Sequence, residues 1–344
     1  MIRSIFLLDK IRILYRLKYM KAIICLVIVF TTVVSAQTLQ ERLAERILRM
    51  NETLLESYTQ PLVNAFGTGV STGLFHSAYS HEFLGFDIGM RLMYINIPEA
   101  AKFFNGTALL CSLTLDSLVY YEVALESLST IFGPEQEISI PIQGNAISIP
   151  SSIPAGFDLT RAPLIMPQVN IGLIFGAEIA VRYVPFTFKG SRMNFIGVGF
   201  KQELNKFPLF KQVPLPIALA IGGAYQRFNI EDQNRTIIAN SETWNLQFLA
   251  SKRLGPLEPL VGYGIETTRA DFNYVFEYEI PDTISGIPYE RITVQQEISM
   301  RLKSQSRHRT TIGCSLRLGF VYLHYDYNIT PYSTHNGTVG LTFR

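Results

Sequence analysis

The chain has 344 residues, a formal net charge of +2 and three cysteines. Hydrophobic residues make up 48% of it and charged residues only 17%, whereas a soluble domain usually carries about a quarter charged residues. This balance excludes the strongly basic footprint of a nucleic-acid-binding protein. Three cysteines are also too few for a disulfide framework.

The first 36 residues have the pattern of a secretory signal peptide. They hold six of the thirty basic residues and one of the twenty-eight acidic residues. Lys18 and Lys21 flank Met20, and residues 22–34 form an uncharged run of 13 residues that ends before Ser35 and Ala36. A run of this length favours cleavage over a membrane anchor, which needs about 20 apolar residues. We therefore predict export, a start at Met1 or Met20, and a mature chain of net charge −3.

Residues 37–58 carry the only helical pattern. Apolar side chains recur there at steps of three and four: Leu39, Leu43, Ile47, Met50 and Leu54. Thr38 and Glu41 have the spacing of a capping box. The pattern predicts a short amphipathic helix, either packed on the rim of the following domain or entering it as a plug.

Alternation of apolar and polar residues dominates the rest of the chain, 59–344. It is clearest in 291–344, where for example Val339, Leu341 and Phe343 alternate with Gly340 and Thr342. Such period-two segments are strands with one apolar and one polar face. After the signal no uninterrupted apolar run reaches 18 residues, so membrane-spanning helices are excluded. Only helices and closed barrels satisfy their backbone in lipid. We predict an all-β fold, a transmembrane antiparallel β-barrel of about 12–14 strands, with fourteen preferred.

Residues 128–167 interrupt this pattern. Six prolines lie in this stretch, among them Pro163 and Pro167, and proline is excluded from central strands. The stretch is predicted to be a long external loop that projects from the barrel or folds into its mouth.

The polar faces define candidate lumen residues: Asp87, Arg91, Glu178, Arg182, Glu266, Glu297, Arg301, Lys303, Arg317 and Asp326. Their mixed signs allow two interpretations. Cross-strand ion pairs would fill a narrow lumen, or the charges would line a water-filled path without strong ion selectivity. Inward glycines such as Gly85 and Gly199 would make room for a ligand or let a plug approach the wall.

Signals of catalysis and metal binding are missing from the sequence. None of the five histidines has the spacing of a metal-ligand motif. His76-Ser77 and Ser80-His81 are neighbours in sequence, and neighbours on a strand point to opposite faces. No nucleophile or dinucleotide motif occurs. We predict neither enzymatic activity nor a cofactor.

The C-terminal sequence HNGTVGLTFR, together with an amphipathic segment ahead of the strands, resembles outer-membrane barrels of Gram-negative bacteria. The segments TIFGPEQ (130–136) and PQVNIGLIFGAEIAVRYVP (167–185) resemble a barrel family known only as a domain of unknown function. A looser similarity in architecture exists to the outer-membrane fatty-acid channel family. The chain departs from many barrels by ending in Arg344 rather than an aromatic residue.

These features predict a protein of the bacterial outer membrane. Its expected partners are outer-membrane lipid, the barrel-assembly machinery and a small hydrophobic solute. The predicted function is passive transport or binding of that small hydrophobic molecule. The alternatives are a non-transporting structural or adhesion barrel with a side-chain-filled lumen, and a membrane-bound hydrolase.

Overall fold

The computed structural model describes residues 52–114, 117–135, 156–188, 191–209, 216–231, 237–284, 287–305 and 307–343. The predicted signal peptide and most of the predicted helix lie outside these residues. Besides three short 3-10 turns, the elements are α1 (Glu52–Ser71), β1 (Phe86–Asn96), β2 (Phe103–Thr114), β3 (Ser117–Ser129), β4 (Arg161–Gly172), β5 (Ala177–Phe188), β6 (Ser191–Glu203), β7 (Ala218–Glu231), β8 (Ile237–Ser251), β9 (Leu257–Ile284), β10 (Ile287–Lys303), β11 (His308–Leu318), β12 (Val321–Ile329) and β13 (Thr334–Phe343).

Ten of the described strands close into an antiparallel barrel. Their order around the wall is β9-β11-β12-β13-β1-β4-β5-β6-β7-β8, and β8 pairs with β9 to complete the ring. β10 is an eleventh strand that pairs only with the second half of β9, while β2 and β3 form a separate hairpin. The prediction of a barrel of 12–14 strands, with fourteen preferred, is therefore too large, because only ten of the thirteen described strands form the ring.

The outer surface is a belt of apolar side chains. Ile88 and Met90 of β1, Phe248 of β8, Val261 of β9 and Val339 of β13 are each about half exposed. Their neighbours in sequence point inward, as the alternation predicted. Exposed apolar groups around a closed barrel are stable only against lipid. The predicted fold class, a transmembrane β-barrel, is confirmed.

The two ends of the barrel differ. We call the end at Phe86, Gly172 and Phe343 the lower rim and the end at Asn96 and Arg161 the upper rim. Short connections close most of the lower rim, at 173–176, 252–256 and 319–320. The β2–β3 hairpin and the extended β9–β10 hairpin rise from the upper rim. Since outer-membrane barrels have short periplasmic turns and longer external loops, the upper rim is assigned to the outside.

Helix α1 lies inside the barrel and continues to Ser71, beyond the predicted end at residue 58. The sequence does not predict this extension, because Pro61 and Gly67 are unfavourable in the interior of a helix. Packing overrides propensity: Val63, Ala65 and Val70 are buried among side chains from the wall. Within the residues that the structure describes, no helix has the length and apolarity to cross a membrane.

The predicted loop at 128–167 is partly wrong, because residues 128–129 belong to β3 and residues 161–167 to β4. Residues 136–155 of the predicted loop lie outside the described residues. Pro163 and Pro167 pair with β1 opposite Tyr94 and Met90. They are tolerated because the ladder between β4 and β5 covers only the five residues from Gln168 to Gly172. Above Gln168 the missing N–H groups of the prolines interrupt no ladder to β5.

Candidate functional site

The interior of the barrel has two levels. The upper level is apolar, with Met93, Met166 and Phe195 buried around Val70 of α1. The lower level is mostly polar, apart from an apolar cluster around Leu74 and Phe75, and it is filled by residues 72–81, which we call the lumen segment. Its buried polar wall side chains include Asp87, Arg91, Gln168, Asn170, Glu178, Arg182, Lys201, Glu203, Gln226, Glu258, Glu266, Arg309, Ser315, His324, Asp326 and Asn336.

Arg182 of β5 holds the C-terminal end of α1. Its guanidinium donates to the carbonyl oxygen of Val70 at 2.6 Å and to that of Thr72 at 2.8 Å. Gln168 of β4 orients it by accepting a hydrogen bond from Nε at 2.7 Å. The last carbonyls of a helix have no partner within the helix and form the negative end of its dipole. The buried guanidinium of Arg182 therefore supplies hydrogen-bond donors to these carbonyls and a positive charge at the negative end of the dipole.

Two more arginines complete this anchor from other strands. Arg91 of β1 donates from Nε to the carbonyl of Gly73 at 2.7 Å. Arg309 of β11 donates to the carbonyls of Ser71 and Thr68 and pairs with Glu266 of β9. Three cations from three sides of the wall thus converge on one helix end.

Lys201 and Glu203 of β6 fix the middle of the lumen segment. The Lys201 ammonium donates to the carbonyls of Ser77 at 3.0 Å and Tyr79 at 2.9 Å. The Glu203 carboxylate accepts from the Ser80 backbone N–H at 2.7 Å and from its hydroxyl at 2.8 Å. The backbone of the segment is therefore held by charged hydrogen bonds, which are stronger than neutral ones.

Glu178 of β5 balances these charges on one side of the lumen. It forms an ion pair with Lys201 at 3.0 Å and contacts Nδ1 of His81 at 2.9 Å. All three side chains are buried or nearly so.

Glu258 of β9 has the same role on the opposite side. It accepts from Ser77 of the lumen segment and from Ser251 at 2.9 Å. Arg253 lies at 3.3 Å and Arg317 at 3.0 Å from its second oxygen. The buried carboxylates of Glu178, Glu258 and Glu266 are therefore each paired with a cation, which offsets the cost of their burial.

Ser315, His324 and Asp326 form a chain with the spacing of a hydrolytic triad. The hydroxyl of Ser315 lies 2.8 Å from His324 Nδ1, and His324 Nε2 lies 2.8 Å from Asp326. The same hydroxyl donates to the carbonyl of His76 at 2.8 Å. All three side chains are buried, and the lumen segment covers the hydroxyl. Because the Ser315 hydroxyl donates its proton to the lumen segment and is buried, it suits an anchor for the segment rather than a nucleophile open to substrate.

His76 lies in the lumen segment, outside the membrane-spanning strands. Its ring stacks on Tyr322 with a centroid distance of 4.4 Å. Burial, and then the positive charge of His324, lowers the pKa of His76 well below its usual value. His76 is therefore neutral near pH 7.

Small residues let the lumen segment touch the wall. A Cβ atom on Gly222 of β7 would lie 2.6 Å from the ring of Phe75. Gly73 has φ +65°, and a Cβ there would lie 2.8 Å from Asn336. Of the two predicted roles for inward glycines, the described contacts match the approach of a plug.

The wall has a discontinuity between the upper halves of β4 and β5, which we call the seam. The β4–β5 register stops at Gln168 opposite Arg182, although β1–β4 and β5–β6 remain paired to the strand ends. Pro163 and Pro167 stand on one side and Pro185 on the other. Behind the seam, Leu164, Met166 and Val184 pack in the apolar upper level. The seam therefore joins the lipid belt to apolar side chains.

A family model described as a family of unknown function (DUF6588) matches residues 17–343. The chain belongs to DUF6588. No curated protein matches its sequence. Among solved structures, the chain is similar to the translocator domain of autotransporter NalP from Neisseria meningitidis, with 10% identity, a TM-score of 0.34, and coverage of 86% of this chain and 100% of that one. It is also similar to the outer membrane channel DcaP of Acinetobacter baumannii, with 10% identity, a TM-score of 0.18, and coverage of 76% and 96%. These similarities concern the barrel fold alone.

Most of the predicted lumen residues of this DUF6588 barrel do face inward. Six are buried: Asp87, Arg91, Glu178, Arg182, Glu266 and Asp326. Arg317 is partly buried and reaches Glu258. The side chain of Glu297 lies outside the described residues.

The prediction that Arg301 and Lys303 point inward is wrong. Arg301 is 82% exposed and pairs with Asp271 at 2.7 Å, and Lys303 is also exposed. Their neighbour Leu302 is buried instead, against Val63 of α1. The cause is position: β10 lies above the lipid belt, where water is outside and the apolar helix is inside. The polarity of the two faces is therefore reversed.

Sequence reasoning missed Lys201, Glu258 and Arg309 as lumen residues. Each of them sits on the polar face of an alternating strand, so strict application of the period would have found them. Their backbone acceptors in the lumen segment have no sequence signal.

Proposed function

We propose that this barrel binds a small hydrophobic molecule that enters sideways from the membrane, through the seam between β4 and β5. The observation that carries the proposal is the end of the β4–β5 ladder at Gln168, flanked by Pro163, Pro167 and Pro185. An apolar ligand would find lipid on one side of this discontinuity and apolar side chains on the other.

The polar lower level supports a lateral rather than an axial route. Arg91, Arg182 and Arg309 tie the end of α1 to the wall. Below them, Lys201 and Glu203 hold the lumen segment. A solute moving along the axis would have to break several buried charged hydrogen bonds, each contributing about 1.5–3 kcal/mol.

The upper level offers an easier rearrangement. Leu164, Met166 and Val184 make apolar contacts with Phe66 and Val70 of α1. An apolar ligand that displaced these side chains would replace one set of dispersion contacts by another. Separation of β4 from β5 above Gln168 breaks no paired ladder.

Ligand exchange with a polyene fatty acid, whose fluorescence rises in apolar sites, tests this route. The full chain in liposomes is compared with P163V/P167V/P185V, in which the restored N–H groups allow the ladder to continue. The control is P98V, which replaces a proline that follows β1 and lies outside the seam. We expect saturable binding of the fatty acid. Its exchange rate should be unchanged in P98V and at least five-fold lower in the triple variant. An equal exchange rate in all three proteins would refute entry through the seam. Absence of saturable binding would refute the proposed function.

A second candidate is a structural barrel that transports nothing. The closed lower level favours it, because the wall contacts the end of α1 at Thr68 and the lumen segment as far as His81. Swelling of proteoliposomes in sugars and amino acids tests the closure, with a general porin as positive control. We expect no swelling. Closure without any fatty-acid binding would establish this second candidate, and permeation of hydrophilic solutes would refute axial closure.

A further inference from the structure

A groove of about 1010 Å³ lies on the outer surface of the barrel, away from the seam. It crosses the outward faces of β6, β7, β8 and β9. We propose that it binds the phosphorylated glycolipid of the outer leaflet, with an acyl chain in the groove and a phosphate at its basic end.

The floor of the groove is shaped by Gly223 of β7. Outward positions on either side carry large side chains, with Phe200 50% and Leu246 41% exposed. A Cβ on Gly223 would meet only the carbonyl oxygen of Asn245 at 3.3 Å and the Leu246 side chain at 3.8 Å. The missing side chain leaves a notch in the apolar belt between Phe200 and Leu246.

The upper end of the groove is basic. Lys303, Arg307 and His308 line it and are exposed. The one acidic side chain in the lining, Glu266, is buried and paired with Arg309. The end of the groove therefore presents an excess of positive charge to the outside.

The β9–β10 register strengthens this excess. Lys303 stands directly opposite Arg269, and both side chains are exposed on the same face. Like charges directly opposite destabilise a strand pair. Glu242 stands opposite Arg269 on its other side and compensates one of the cations. A bound phosphate would compensate Lys303 and Arg307.

The height of this end suits a lipid headgroup. Trp244 of β8 and Tyr225 of β7 have ring centroids 4.6 Å apart near the top of the apolar belt. The next outward positions above them are Glu242 and Arg227. Aromatic side chains followed by charges mark the interface of a barrel with the headgroups. Because the upper rim is external, the lipid is that of the outer leaflet.

Native mass spectrometry of the detergent-solubilised full chain tests the proposal, with bisphosphorylated lipid A as the probe. Monophosphoryl lipid A tests the phosphate, and phosphatidylglycerol tests whether any anionic lipid suffices. K303A/R307A removes the basic end, and R161A/R192A removes two exposed arginines elsewhere on the upper half. G223L fills the notch from the lipid side.

We expect lipid A to bind at least ten-fold more weakly to K303A/R307A than to the unmodified chain or to R161A/R192A. Monophosphoryl lipid A and phosphatidylglycerol should bind more weakly than lipid A, and G223L should lose binding without loss of thermal stability. Equal binding to all variants would overturn the site. Equal binding of phosphatidylglycerol and lipid A would overturn the assigned ligand.

Discussion

Arg182 donates a hydrogen bond from Nη1 to the carbonyl oxygen of Val70 at 2.6 Å, and so joins the barrel wall to the end of the internal helix. Arg182 and Val70 are 112 residues apart in sequence. Both groups are buried, so neither has water as an alternative partner.

Replacing Arg182 by Met should therefore loosen the plug. The carbonyls of Val70 and Thr72 would lose a charged donor while remaining buried, at a cost of about 3 kcal/mol or more. We expect a lower unfolding midpoint and faster amide hydrogen exchange around residues 68–74. R161M, which removes an exposed arginine at the upper rim, serves as the control. Unchanged exchange in R182M would show that this anchor does not hold the helix.

Gly222 and Gly223 are adjacent in β7 but face opposite sides of the wall, so they provide a matched pair. Valine at 222 would collide with Phe75, and overpacking of this kind costs about 1–3 kcal/mol. Valine at 223 points into the lipid belt and should change stability by less than about 0.5 kcal/mol. Thermal unfolding in detergent measures both. Adding F75A should rescue G222V; equal losses for G222V and G223V would contradict the plugged lumen.

Acid should destabilise the barrel partly through His76. The pKa of His76 is lowered in the folded state, by burial and then by the charge of His324, from a usual value of 6.5. The unfolded chain therefore binds a proton below about pH 6.5 that the folded chain rejects, and stability falls as the pH drops below that point. The loss is at most about 1.4 kcal/mol per pH unit for one group.

H76F should reduce this acid sensitivity. Phenylalanine keeps the stack on Tyr322 and removes Nδ1, which has no hydrogen-bond partner among the described residues. Urea unfolding between pH 7 and pH 5 should show a shallower loss in H76F than in the unmodified chain. H335F, at a partly exposed histidine, should keep the original slope. Parallel slopes in all three proteins would assign the acid sensitivity to other groups.

Export predicts a defined mature end. If residues 1–36 are a cleaved signal peptide, the chain recovered from an outer-membrane fraction begins at Gln37, and intact mass spectrometry identifies that end. A chain begun at Met20 should be exported equally well, because Lys21 and the uncharged run remain. Recovery of the chain with residues 22–36 still attached would favour a membrane anchor.

The sequence by itself determined the strands and the direction of their faces. Val339, Leu341 and Phe343 of β13 face outward, while Asp326 and His324 of β12 face inward, because an alternating pattern has only one arrangement that keeps charge out of lipid. It failed for Arg301 and Lys303, since alternation does not report whether water or lipid lies outside. It failed again at Pro163 and Pro167, since one strand does not show where its neighbour stops pairing.

Only the tertiary structure decided what fills the barrel. The stretch from Thr59 to Ser71 is a poor helix former and becomes a helix because the wall surrounds it. The convergence of Arg91, Arg182 and Arg309 on one helix end depends on strands far apart in the chain. Backbone carbonyls are the acceptors there, and every residue has one, so no side-chain pattern marks them in advance.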